Sequence, residues 1–201
     1  MNGRARAAMG PRVRFASRNP GKLREVREIL AAFGWGVDPL PTRFVEPQTD
    51  NLRAVVRAKL AVLRDLSGPV LVEDSGLFLP GLGGFPGVYS AYIAEIWGGP
   101  KGFRPLLRAL EGAPRTAIFR TVAGLTVDGR DHLFVGESRG TVARLPRGSG
   151  GFGYDPIFIP EGQRRTFAQM SPEEKNRFSH RGRALRKVGR FLLRPGPADA
   201  A

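Results

Sequence analysis

The sequence predicts an α/β fold on a mixed sheet, and three observations carry that expectation. Short apolar runs suited to strands alternate with stretches that repeat apolar residues at helical spacing, as in folds whose helices cross over between strands. One pair of strand-like runs instead flanks Asp128-Gly129, a two-residue hairpin signal that sets its strands antiparallel. No apolar run approaches the ~20 residues that span a bilayer, which leaves no candidate membrane helix.

Val13–Ala16 is a short apolar strand that runs into the polar loop Ser17-Arg18-Asn19-Pro20-Gly21-Lys22. A helix follows with Leu23, Val26, Ile29, Leu30 and Phe33 on one face; Asn19 and Pro20 make its cap and first turn, and Gly34 or Gly36 its stop. A second helix runs from about Leu52 to Arg64, buries Leu52, Val55, Val56, Leu60 and Leu63, and is capped by Asp50 or Asn51. Gly68-Pro69 breaks the chain before Val70-Leu71-Val72, an apolar strand expected to end at Glu73-Asp74-Ser75-Gly76. The glycine-rich stretch Leu79–Val88 leads to two short helices near Ser90–Trp97 and Gly102–Leu110. Thr116–Val127 and His132–Ser138 form the hairpin, and Thr141–Leu145 extends the sheet. The glycine-rich loop Pro146–Asp155 enters a strand at Pro156–Ile159. Ser171-Pro172-Glu173-Glu174 has a capping-box arrangement and opens the last helical segment, which turns Leu185, Val188 and Leu192 inward and its arginines outward. The expected organisation is one two-lobed domain over 12–193, with a basic disordered tail at 1–11 and a flexible tail at 194–201.

Composition narrows the chemistry. With no cysteine and only His132 and His180, a tetrahedral zinc site lacks ligands and thiolate catalysis is excluded. The basic N-terminus leads into no hydrophobic signal core, so the cytoplasm is the expected location. The net charge of +14 suits a polyanion partner, either nucleic acid or a free nucleotide. Much of the excess sits near the ends: Arg4, Arg6, Arg12 and Arg14, then Arg177, Arg181, Arg183, Arg186, Lys187, Arg190 and Arg194.

Three segments can carry chemistry. The loop Ser17–Lys22 presents small residues and a lysine at a helix N-terminus, where backbone N–H groups and the helix dipole favour an anion; an ordinary capped turn looks the same. Glu73 and Asp74 put two carboxylates at the end of a buried strand. Alternation points them opposite ways, so one faces a cleft, and Glu46 can supply a second carboxylate to a Mg²⁺ ion. Phe152-Gly153-Tyr154-Asp155 joins flat rings to a carboxylate, as stacking plus edge recognition of a base requires, although rings capping a core would read alike. Lys175 and His180 lie five apart and share a helical face poorly unless the helix breaks near Ser179.

Taken in order, Ser17–Lys22, Val72–Leu77, Gly83–Ser90, Gly151–Phe158 and Glu173–Arg181 resemble the inosine triphosphate pyrophosphatase family, the HAM1-like non-canonical purine NTP pyrophosphatases, over about Val13 to Phe191. The resemblance implies a long mixed sheet with helices forming two lobes around a central nucleotide-binding cleft, usually as a homodimer. It implies Mg²⁺-dependent hydrolysis of ITP, dITP or XTP to the monophosphate and pyrophosphate, with Mn²⁺ as a candidate substitute, and no membrane or specific nucleic-acid partner. By position it implies a triphosphate loop at Ser17, Arg18, Asn19, Pro20, Gly21 and Lys22, and metal ligands at Glu46 and Asp74, with Asp74 also the general base. It implies a substrate contact at Ser75 beside the metal, a base-binding segment at Phe152, Gly153, Tyr154 and Asp155, and phosphate or 6-oxo contacts at Lys175, His180 and Arg181. Val55 departs from the asparagine many members carry, Lys59 fits their lysine position, and Arg18 stands where small residues are common. A related pyrophosphatase of the Maf-like type and a nucleic-acid-binding module are the competing readings.

Overall fold

The computed structural model describes residues 10–97 and 102–194. The two expected tails therefore lie almost wholly outside the described residues. The described chain forms seven strands and six helices: β1 (Arg12–Ala16), α1 (Pro20–Ala31), β2 (Gly36–Leu40), α2 (Leu52–Val62), β3 (Val70–Phe78), β4 (Pro86–Gly87), α3 (Ser90–Ile96), α4 (Phe103–Ala109), β5 (Thr116–Val127), β6 (Arg130–Val142), β7 (Phe158–Pro160), α5 (Pro172–Phe178) and α6 (His180–Leu192). Among them no helix is long and apolar enough to cross a membrane.

The sheet is mixed, in the order β2-β1-β3-β5-β6-β7, with β4 on the free side of β3. β1 runs parallel to β2 and β3, while β3, β5, β6 and β7 are successively antiparallel. The hairpin between β5 and β6 turns at Asp128 (φ 51°) and Gly129 (φ 70°), the left-handed pair that a two-residue turn needs.

Helices cover both faces. α1 and α6 press Val26, Ile29, Leu30, Ala184, Leu185 and Val188 onto Val13, Phe15, Leu71, Ala123 and Leu125. α2 packs Leu52, Val56 and Leu60 on the other face against Val70, Val72 and Val122. Beyond them the long strands continue into a second lobe, where Leu77, Phe119, Phe103, Leu106, Phe158 and Phe167 share a separate core. The two-lobed mixed sheet is the expected fold.

Three expectations change in detail. β3 does not end at Val72 but runs to Phe78, because β5 pairs with it from Val70–Thr126 through to Phe78–Ile118. Pro156 lies inside a 3-10 turn over Asp155–Ile157, so the strand there begins only at Phe158. Gly36, a possible helix stop, instead opens β2, and the helix ends before Gly34 (φ 74°).

The pairing leaves an opening. β1 reaches β3 only at Val70 and Leu71, and β4 joins it only at Leu77 and Phe78. Between Val72 and Gly76 one edge of β3 has no partner strand among the described residues, at the point where the two lobes separate. It lies beside the carboxyl end of β1, with α1 on one face and α2 on the other, the position where open α/β sheets bind ligands.

α6 lies so close to β6 that a Cβ on Gly136 would sit 2.1 Å from the His180 carbonyl oxygen and 2.4 Å from the Ala184 nitrogen. Both neighbours are backbone, so no rotamer change relieves the clash. Gly136→Ala is expected to destabilise the fold by about 1–3 kcal/mol, read as a lowered denaturant midpoint; an unchanged midpoint would show that α6 can move off β6.

Candidate active site

The open edge of β3 carries Glu73, Asp74 and Ser75, and strand alternation divides them between two faces. Asp74 turns to the α2 face. There Lys59, buried on α2, bridges its Oδ1 at 3.0 Å and Glu46 at 2.7 Å. Burial pushes the Asp74 carboxyl above its ordinary range, with Lys59 and Lys22 pulling against that rise. Its second oxygen, Oδ2, is buried without a hydrogen-bond partner. Burial opposes the Lys59 charge, yet Asp74 and Glu46 more than compensate and raise its pKa.

Glu73 and Ser75 turn the other way, toward α1 and α6. Glu73 lies 2.6 Å from Lys22 Nζ and 3.3 Å from Arg181 Nε, and accepts from Ser75 Oγ at 2.6 Å. Burial would raise its pKa, but Arg181 and Lys22 outweigh it and hold Glu73 well below the usual carboxylate range. Ser75, expected beside the metal carboxylate, thus faces away from Asp74, where it accepts from Arg181 Nη2 at 3.0 Å and meets Thr121.

The network continues through Glu25 on α1. Its two oxygens accept from Lys175 at 2.7 Å and Arg181 at 2.7 Å. Burial alone would raise Glu25, and the two cations bring it below its ordinary value. Lys175 also pairs with Asp155, whose Oδ2 accepts from the Phe152 amide at 2.7 Å. Burial keeps Asp155 raised despite Lys175. A fully buried arginine is costly unless paired; burial lowers the Arg181 pKa, but Glu73 and Glu25 reverse this.

The break near Ser179 brings these cations together. Ser179 ends α5 by donating its N–H to the Lys175 carbonyl, then caps α6 by accepting from Gly182 N–H at 3.0 Å. His180 and Arg181 become the first residues of the new helix, and Arg181 shares Glu25 with Lys175. The His180 ring stacks on Phe119, centroids 4.4 Å apart and 8° from parallel, and its Nδ1 is buried with no partner. Burial, then the charges of Arg181 and Lys175, hold His180 well below its ordinary pKa, so it is neutral.

Phe152 covers this cluster. Lys175 Nζ lies 4.6 Å and Arg181 Cζ 5.3 Å from its ring centre, and the ring rests against Gly21. In the loop before α1, Asn19 accepts from the Lys22 amide at 3.0 Å and from Leu23 at 3.1 Å, and Pro20 has no N–H; the Gly21 amide is left in the first turn. Ser17 braces Asn19, and Arg18 is exposed at the loop's tip. Gly153 adopts φ 57°, and Tyr154, expected at the base, turns into the core, where its hydroxyl donates to the Ser90 carbonyl at 2.9 Å.

Sequence reasoning passed over Glu25 and left Lys59 without a role. Both are single charges inside the apolar faces of amphipathic helices, and that misfit was their signal. Among the described residues no group of three or more His, Asp or Glu side chains converges on one point.

The model of the Ham1 family matches residues 13–191. The chain belongs to the Ham1 family. It is similar to a protein of Thermococcus kodakarensis named dITP/XTP pyrophosphatase, 47% identical with 90% of this chain and 97% of the relative covered. A Hyperthermus butylicus protein of the same name is 43% identical, covering 91% and 95%. Among solved structures, the Ham1-family fold recurs in a HAM1 protein from Coxiella burnetii, with a TM-score of 0.77, 32% identity, and coverage of 90% and 98%.

The neutral His180 gives a signed pH dependence. An unfolded imidazole takes up a proton below about pH 6.5 and the buried one resists it. The unfolded state is then favoured as pH falls, at about 1.4 kcal/mol per pH unit. Asp74 and Asp155, both raised, contribute the opposite slope at the acid end. The difference between wild type and His180→Gln isolates the histidine: urea midpoints at pH 7, 6 and 5 should fall more steeply in wild type, and equal slopes would show that His180 titrates normally.

Proposed function

We propose that this chain is a pyrophosphatase for non-canonical purine nucleoside triphosphates, converting dITP, ITP and XTP to the monophosphate and pyrophosphate with Mg²⁺. The observation that carries the reading is the opposed orientation of Glu73 and Asp74 on the open edge of β3. It supports one cleft with two ends: Asp74, Glu46, Lys59 and Lys22 for the phosphates, and Phe152, Asp155, Lys175, His180 and Arg181 for the base. The names of the relatives agree with this substrate class.

Mg²⁺ is typically held by one or two carboxylates, with substrate phosphates and water completing its shell. Asp74, with Oδ2 unpartnered, and the half-exposed Glu46 fit that pattern and would hold the ion, Mn²⁺ being the candidate substitute. When bound, the ion would neutralise phosphate charge and acidify a water. Lys59 ties one Asp74 oxygen in place, so the free oxygen would be the one to hold the ion. Lys22, the Gly21 amide, Ser17, Asn19 and Arg18 offer donors and charge to the triphosphate.

At the base end, Phe152 offers a face for stacking once it lifts from Lys175 and Arg181. Arg181 uses three of its five donors on Glu73, Glu25 and Ser75, which fixes the guanidinium and leaves two. Those donors suit a 6-oxo purine. Adenine's amino group would leave them unpaired, which is the source of discrimination. The homodimer and cytoplasmic location implied by the resemblance are part of the same proposal.

With Mg²⁺, pyrophosphate release from dITP and XTP should exceed that from dATP by roughly 100-fold or more in kcat/KM. Release of orthophosphate alone, or equal turnover of dATP, would sink the reading. Asp74→Asn should lower kcat by about 10²–10⁴ in a chain that still unfolds cooperatively; full activity would remove Asp74 from the chemistry.

A further inference from the structure

The outer face of α6 carries a stripe of cations that the cleft does not use. Arg183, Lys187 and Arg190 are exposed at spacings of four and three, one side of the helix and about 10 Å long at ~1.5 Å per residue, and the exposed Arg194 lies just beyond the helix end. A groove of about 460 Å³ between α6 and β6 is lined by Arg183, Arg186, Lys187 and Arg190 from the helix and by Val135, Gly136 and Glu137 from the strand.

Two features distinguish this stripe from an ordinary solvated face. None of its cations has a carboxylate within 4 Å among the described residues, and the groove's one carboxylate, Glu137, already pairs with Arg120 at 2.5 Å. Lys187 of the stripe and its neighbour Arg186 are also pinned by neutral backbone: Arg186 donates to the carbonyls of Asn176 and Arg177, and Lys187 to that of Val135. Long side chains held this way lose less freedom when an anion arrives. The groove lies along β6, whose edge is unpaired by any described strand from Arg130 to Arg139, across the sheet from the open edge of β3.

We propose that this groove binds the phosphate backbone of a nucleic acid. A nucleic-acid backbone, with about one phosphate per 3.4 Å of helix axis on each strand of a duplex, matches a linear stripe of cations better than one compact anion does. A second copy is a poor occupant, since a two-fold contact would set the stripe against its own charge. With no base-reading arrangement in the groove, the binding is sequence-independent. This inference does not rest on the proposed hydrolysis.

The test is fluorescence anisotropy of labelled single-stranded DNA 20-mers of two unrelated sequences, titrated with the full chain from 50 to 200 mM KCl. Both oligonucleotides should bind alike, with affinity falling linearly in log salt. Arg183→Ala/Lys187→Ala/Arg190→Ala should bind at least about tenfold more weakly at 50 mM and flatten the slope by roughly 2, at about 0.7 for each phosphate no longer neutralised. Its dITP turnover, or its denaturation midpoint should the chain prove inactive, should match wild type. Absence of binding at 50 mM, or a triple variant that binds as tightly as wild type, would overturn the proposal. So would capture of phosphatidylserine vesicles by the stripe in preference to the oligonucleotide.

Discussion

Burying a carboxylate costs several kcal/mol unless a cation comes with it, and β3 buries two in succession. Strand geometry sends Glu73 and Asp74 to opposite faces, so one cation cannot serve both. Lys59 must reach in from α2, and Lys22 and Arg181 from α1 and α6. Arg181, itself buried, then requires Glu25, and Glu25 accommodates Lys175, which in turn holds Asp155 and the Phe152 turn. Each helix around the cleft is thereby fixed by charge as well as by its apolar face. The site and the fold are one electrostatic arrangement.

That arrangement explains what the sequence disclosed and what it withheld. The strand–loop–helix start, α2, the hairpin and the capped α5 were legible because their signals are local: an Asn-Pro cap, helical spacing, Asp-Gly, Ser-Pro-Glu-Glu. β2 was hidden, since Pro39 and Asp38 argue against a strand; an edge strand tolerates both. The true length of β3 was hidden too. Polar residues normally close a buried strand, and here partners far apart in sequence, at 22, 59 and 181, permit them to continue it.

The site was legible as segments and not as a network. Asp74, Lys22 and the break at Ser179 followed from motif order and capping chemistry, whereas Glu25 and Lys59 looked like flaws in apolar faces. Tyr154 shows the opposite case: it sits in a site-like motif, and its ring packs into the core of the second lobe. A run of adjacent residues does not share one destination when its backbone turns through positive φ at Gly151 and Gly153.

The ion network also has a thermal signature. Hydration of charged groups becomes less favourable on heating, so the penalty for enclosing them declines as temperature rises. Apolar burial behaves differently, its contribution per unit area levelling off. In this chain the penalty for enclosing the charged groups around the cleft therefore declines as conditions warm, while the contribution of the apolar cores levels off.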